Sequence, residues 1–189
     1  MESALIISDS GKSRVFFTEM LNAASVTHIA AVQSGGEARR HLLEKDFELV
    51  LVDTPLRDES GENLSRYIIS KSASQVILFV KNECFDVVSA VCGGDGILTV
   101  SKPVNRAVFL AALSLAKAAG NRIRRIQAEN AQLRRKIEDI RIVDRAKWIL
   151  ISYMKLSEQE AHRYMEKQAM DMRTTKRAIA EGILKTYDN

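Results

Sequence analysis

Four charged residues, Asp9, Asp53, Lys81 and Lys102, stand at or just past the ends of short β-rich runs. This placement constrains the fold of the first part of the 189-residue chain more than any other feature. The runs are Ala4 to Ser8, His28 to Val32, Glu48 to Asp53, Gln75 to Val80 and Gly96 to Val100. Helical patterns separate them, and strands alternating with helices predict a doubly wound, five-stranded parallel sheet. Open α/β sheets place ligand crevices beyond the carboxyl ends of their strands. The four charges therefore mark a candidate site at one edge of a domain over residues 1–119.

Two carboxylates beside each other across the switch point can hold Mg²⁺, one can attack a phosphoryl donor, and a lysine can neutralise the product. This arrangement resembles a response-regulator receiver domain. The resemblance implies that Asp53 is the phospho-acceptor, Asp9 a metal-binding acid and Lys102, before Pro103, the invariant lysine; Gly61 stands where the family keeps a glycine. Ser8 occupies the place of a second acid and Lys81 that of a Ser or Thr that would report the phosphoryl group. The first departure weakens any Mg²⁺ site at Asp9 and Asp53. The second offers a positive partner that needs no phosphate, because an ion pair at about 4 Å gains roughly 4 kcal/mol at an effective dielectric of 20 before desolvation. Two readings stay open: a phosphorylated receiver served by a sensor kinase, or a pseudo-receiver controlled by a regulatory protein or by dimerisation.

A helical pattern begins near Asn105 and runs to about residue 155, weakest at Gly120. Within it Ile123, Asn130 and Ile137 repeat every seven residues, and Ile126, Leu133 and Ile140 fill the other apolar heptad position. That spacing predicts a coiled coil over residues 120–143. A buried amide at an a-type position finds its partner only in a matched register, so Asn130 favours a parallel homodimer. The same stripe could instead pack on the chain's own C-terminal helices.

Residues 144–189 read as a small three-helix bundle. Apolar residues recur at intervals of three and four: Ala146, Ile149, Leu150 and Tyr153; then Ala161, Tyr164, Met165, Ala169 and Met172; then Ala178, Ile179 and Ile183. Ser157 with Glu160 forms a capping-box signature, and Thr174 or Thr175 can cap the last helix. Ala146-Lys147, Leu156-Ser157-Glu158 with Glu160-Ala161, Ala169-Met170 and Ala180 together resemble the ANTAR family of bacterial antiterminators, over about the last 50 residues. The resemblance implies an RNA-binding module whose dimers capture paired stem-loops in nascent messenger RNA leaders. Trp148 departs from the pattern, in which a small residue follows the Ala-Lys pair.

Charge points to the same partner. Residues 1–120 carry 12 Lys+Arg and 14 Asp+Glu, net −2, whereas residues 121–189 carry 16 and 10, net +6. The basic part is the expected polyanion contact, through Arg145, Lys147, Arg163, Lys167, Arg173, Lys176 and Arg177. Arg122, Arg124, Arg125, Arg134 and Arg135 either join that surface or form the solvated flank of the coiled coil. An aromatic residue exposed beside such cations becomes a stacking platform for an unpaired base, and Trp148 leads Tyr153 and Tyr164 as the candidate.

Cys84 and Cys92 match no metal or redox spacing and read as cytosolic thiols. His28, His41 and His162 are scattered and read as structural or surface residues. The start lacks a signal pattern, and the most apolar stretch, Ala107 to Ala119, is too short to span a bilayer. These features point to the bacterial cytoplasm, and the receiver and ANTAR resemblances together imply a signal-controlled RNA-binding regulator without enzymatic activity beyond possible self-phosphorylation. A DNA-binding response regulator and a protein-interaction adaptor remain as rival classes.

Overall fold

A computed structural model of the chain describes residues 1–187; the last two residues of the 144–189 segment lie outside the described residues. The chain divides into two compact units, Met1–Arg124 and Arg125–Asn189.

The first unit alternates strands and helices. The strands are β1 (Ser3–Ser8), β2 (His28–Val32), β3 (Leu49–Asp53), β4 (Gln75–Lys81) and β5 (Leu98–Lys102). The helices are α1 (Gly11–Ala23), α2 (Gly35–Glu44), α3 (Gly61–Lys71), α4 (Phe85–Cys92) and the start of α5 (Arg106–Met154). All neighbouring strands are parallel, in the order β2-β1-β3-β4-β5. The order reverses between β1 and β3, and the register there sets Ser8 beside Asp53. β5 starts two residues later than the sequence suggests. Gly96 adopts φ 80° in the preceding turn, so pairing begins only at Leu98.

Because helices cover both faces, the central strands are apolar throughout rather than alternating. Leu5, Ile7, Val50, Val52, Leu78 and Val80 face one side, together with Leu64 and Ile68 of α3. Ala4, Ile6, Leu49, Leu51, Ile77 and Phe79 face the other, where Phe17 of α1 and Phe109 of α5 complete the layer. Phe17 stacks on Phe79 at 4.7 Å between ring centroids and lies 5.7 Å from Phe109. Gly61 opens α3 where a Cβ would collide with Thr54 Cγ2, which accounts for a glycine there.

The second unit takes in the rest of α5 with α6 (Glu158–Asp171) and α7 (Lys176–Tyr187). Ala146 and Leu150 of α5, Ala161 and Met165 of α6 and Ala180 of α7 form its small core. The capping box is complete: Ser157 Oγ accepts from Glu160 N, and Glu160 Oε2 accepts from Ser157 N at 2.8 Å. Thr175, rather than Thr174, caps α7 by accepting from Ala178 N at 3.2 Å. Four residues expected on the inner stripes are exposed instead, Tyr164 of α6 among them. Tyr153 is exposed and pairs with Tyr187, Met172 is the exposed C-cap of α6, and Ala178 is exposed in the first turn of α7. No described helix is long and apolar enough to cross a membrane.

Candidate functional site

At the carboxyl edge of the sheet, Asp53 is buried and both of its carboxylate oxygens are engaged. Ser8 Oγ, itself fully buried, donates to Asp53 Oδ2 at 2.6 Å, and Lys102 Nζ forms an ion pair with Oδ1. Lys102 also donates to the Thr54 carbonyl. Thr54 is fixed in turn, since its backbone N–H and its hydroxyl both donate to the Phe79 carbonyl, at 3.0 and 2.8 Å. The positive partner of Asp53 is thus Lys102. Lys81 is exposed at the end of β4, makes no ion pair with Asp53, and lines a pocket with Thr54, Glu62 and Cys84.

Asp9 is turned to a partner that its position in the sequence does not reveal. Arg57 Nε approaches Asp9 Oδ1 at 2.6 Å as an ion pair without the alignment of a hydrogen bond. Arg14 Nη1 donates to the carbonyls of Ser8 and Asp9, at 2.6 and 3.2 Å. The loop carrying Arg57 is fastened on its far side as well. Asp58 accepts from the Gly35 and Gly36 amides at 3.0 and 2.8 Å, and these bonds, Gly36 first, hold its carboxyl below the usual aspartate range. Glu59 receives a two-pronged bond from Arg39 at 3.0 and 2.7 Å, and the Arg39 guanidinium lies 4.0 Å from the centre of the Tyr67 ring.

A Mg²⁺ ion needs hard oxygen donors free to surround it. Here Asp9 is paired with Arg57, Asp53 is shared between Ser8 and Lys102, and Ser8 contributes a donated proton where a second acid would contribute an oxygen. Among the described residues no group of three or more His, Cys, Asp or Glu gathers as a metal site. The residues as arranged do not fit the ion.

In the second unit the cations fall into two sets. Lys147 bonds Asp144 at 2.8 Å and reaches Glu158 at 3.5 Å, and these contacts, Asp144 first, raise its pKa. Lys176 meets Glu166 at 2.6 Å, and Arg177 joins Glu181 of its own helix to Asp139 of α5. These pairs tie the helices to one another. Arg163, Lys167 and Arg173 are exposed and form no ion pair among the described residues; Arg145 is exposed on α5. Arg173 adopts φ 50° in the turn after α6, where Arg173 N bonds Met170 O and Thr174 N bonds Ala169 O, a Schellman ending. On α5, Ile123, Ile126, Leu133, Ile137 and Ile140 are exposed large apolar residues, and Asn130 lies in their row.

Sequence reasoning brought together Ser8, Asp53 and Lys102 but missed Arg14, Arg57 and Thr54. Nothing in the spacing of Arg14, in the first turn of α1, or of Arg57, in the loop after β3, announces which carboxylate or carbonyl each will meet.

Comparison with known proteins agrees with this geometry. The response regulator receiver domain matches over residues 4–114, and the ANTAR domain over residues 131–184. The transcriptional regulatory protein PdtaR of Mycobacterium tuberculosis is 25% identical over 182 residues, spanning 96% of this chain and 89% of that protein. Two solved structures share the fold of the first unit. A response regulator receiver domain protein from Clostridium thermocellum has a TM-score of 0.58 at 19% identity, covering 67% of this chain and 99% of that one. The chemotaxis response regulator CheY4 of Vibrio cholerae has a TM-score of 0.55 at 18% identity, covering 61% and 98%. The chain belongs to the response regulators, with a receiver domain followed by an ANTAR domain.

Proposed function

We propose that this protein is an RNA-binding transcription antiterminator of the bacterial cytoplasm, acting as a homodimer on hairpins in nascent messenger RNA leaders. Residues 1–119 receive the signal, residues 120–143 join two copies in parallel through the Ile123, Ile126, Asn130, Leu133, Ile137 and Ile140 row, and residues 144–189 bind RNA. The observation that carries this reading is the set of exposed cations, Arg163, Lys167 and Arg173, left outside the ion pairs of the ANTAR unit. RNA loops display splayed bases while stems offer phosphate and shape, and both place negative charge against such a surface.

The receiver in this reading is atypical. Asp53 would have to exchange its bonds to Ser8 and Lys102 before attacking a phosphoryl donor, and Mg²⁺ could enter beside Asp9 only by displacing Arg57. Control then comes from a regulatory protein or from assembly, and a sensor kinase acts on the site only if it opens. No further catalytic activity is implied.

Competition between a hairpin RNA and duplex DNA, at several salt concentrations, tests the assignment. Hairpin RNA should win, with an affinity that falls as salt rises. Equal competition by duplex DNA would return the DNA-binding reading, and absence of salt-dependent RNA binding would return the protein-interaction adaptor.

A further inference from the structure

Trp148 is the chain's only tryptophan, and it is 70% exposed. It does not belong to the core of its own unit, because α5 directs Ala146 and Leu150 there and Trp148 lies on the opposite side of the helix. At 3.6 residues per turn it follows Asn130 by about five whole turns, roughly 27 Å along the axis, and so shares its azimuth. Ile126, Leu133, Ile137, Ile140, Asp144 and Ile151 fall within roughly 80° of it on the same scale. The row therefore continues past Ile140. Its steps change from three-and-four to four, four and three, an eleven-residue step whose drift, about 20°, is opposite in sense to that of the heptad.

An exposed tryptophan on a basic module invites the reading of a base-stacking platform, but its surroundings oppose this. The pocket against the ring is lined by Asp144, Lys147, Ile151 and Glu158. Lys147 is held by both carboxylates, so the lining of this pocket carries one net negative charge, which a phosphate entering it would meet. The unpaired Arg163 and Lys167 lie on α6 instead. A second copy suits the patch better. In a parallel, in-register pair each Trp148 meets its own counterpart at the same height, so the two exposed rings cover one another.

We infer that Trp148 closes the C-terminal end of the dimer seam, packing against Trp148 of a second copy, and does not stack on RNA. The inference rests on the dimer reading above. With a single tryptophan, fluorescence reports this position alone. The intact chain without RNA should be diluted from micromolar to nanomolar while sedimentation is followed in parallel. The dimer should show blue-shifted emission and several-fold weaker acrylamide quenching than the monomer. Leu133→Asp, at an exposed position that folding does not need, supplies the monomer reference. Trp148→Ala should weaken the dimer about tenfold or more, and adding hairpin RNA to the wild-type dimer should leave quenching nearly unchanged. A dimer whose tryptophan is as accessible as in Leu133→Asp, or is protected only when RNA is added, overturns this inference and leaves the dimer standing. A chain that is monomeric at every concentration removes both.

Discussion

The receiver edge and the ANTAR surface are both built from charged side chains, yet they leave those charges in opposite conditions. At the receiver edge each group that chemistry would call upon already has an internal partner: Asp53 has Ser8 and Lys102, and Asp9 has Arg57. In the ANTAR unit the ion pairs Lys147–Asp144, Lys176–Glu166 and Arg177–Asp139 hold helices together, and Arg163, Lys167 and Arg173 stand outside them. A charge engaged internally must lose its partner before it can serve a ligand, and breaking a buried pair is costly. An exposed unpaired cation only sheds counterions. The difference supports the proposed reading, in which the external contact falls to the second unit and the charges of the first are engaged internally.

The largest expected effect breaks the comparison on the RNA side. Replacing Arg163, Lys167 and Arg173 together by Ala should weaken hairpin RNA binding by at least about tenfold and flatten the salt slope by roughly 2, since each neutralised phosphate on a single strand contributes about 0.7. Lys147→Ala and Arg177→Ala should instead lower the melting temperature first, because they unfasten helices. A salt slope that responds equally to both groups in binding titrations would erase the distinction between them.

The next effect probes the other side. The unmodified protein should take little or no label from a small phosphodonor with Mg²⁺, as judged by intact mass, and Asp53→Asn should bind RNA within about twofold of wild type. Ser8→Asp removes the hydroxyl that engages Asp53 Oδ2 and supplies a second acid, so it should gain labelling that Asp53→Asn abolishes. Stoichiometric labelling of the wild type would show that the partners of Asp53 exchange readily, and the contrast between the two regions would fail there.

Much of this architecture was legible because it follows from local pattern. The strand ends carrying Ser8, Asp53 and Lys102 are marked by apolar runs stopping at a polar residue, the long α5 by unbroken periodicity, and the start of α6 by Ser157 and Glu160. The pairings were not legible. Arg57 meets Asp9 and Arg177 meets Asp139 across tens of residues, and the reach of a guanidinium depends on how elements pack. Ser8 illustrates the limit: the sequence shows the missing acid, and only the geometry shows the hydroxyl donating to Asp53. Met172 and Ala178 kept the helical rhythm but fell at helix ends, where the inner face has already turned away.

A third and smaller effect separates binding from folding at one residue. Arg173 has left-handed backbone, φ 50°, at the Schellman position where glycine is at ease. For a side chain with a Cβ that conformation costs about 1 kcal/mol. Arg173→Gly should therefore raise thermal stability by up to about that amount while weakening RNA binding a few-fold. A variant that loses both would mean that the arginine holds the fold, contrary to its place among the unpaired cations.

The smallest effect comes from moving a residue between the two sets. Hydrogen bonding to Lys176, with a further contribution from His162, holds the Glu166 carboxyl below the ordinary glutamate value of about 4.3. Glu160 is lowered likewise by the Ser157 hydroxyl and backbone amide. A carboxyl with a lower pKa in the folded state binds fewer protons than it does unfolded. Its contribution is therefore present above the unfolded value and lost as pH falls through the folded one. Melting temperature should drop as pH falls from about 5 toward about 3, and Glu160→Gln with Glu166→Gln should shrink that drop. Glu166→Gln alone should also release Lys176 at neutral pH to join Arg163 and Lys167, raising RNA affinity by about twofold and steepening the salt slope slightly. An unchanged affinity would show that Lys176 lies off the RNA path whether or not it is paired, and would confine the binding surface to the cations left free from the start.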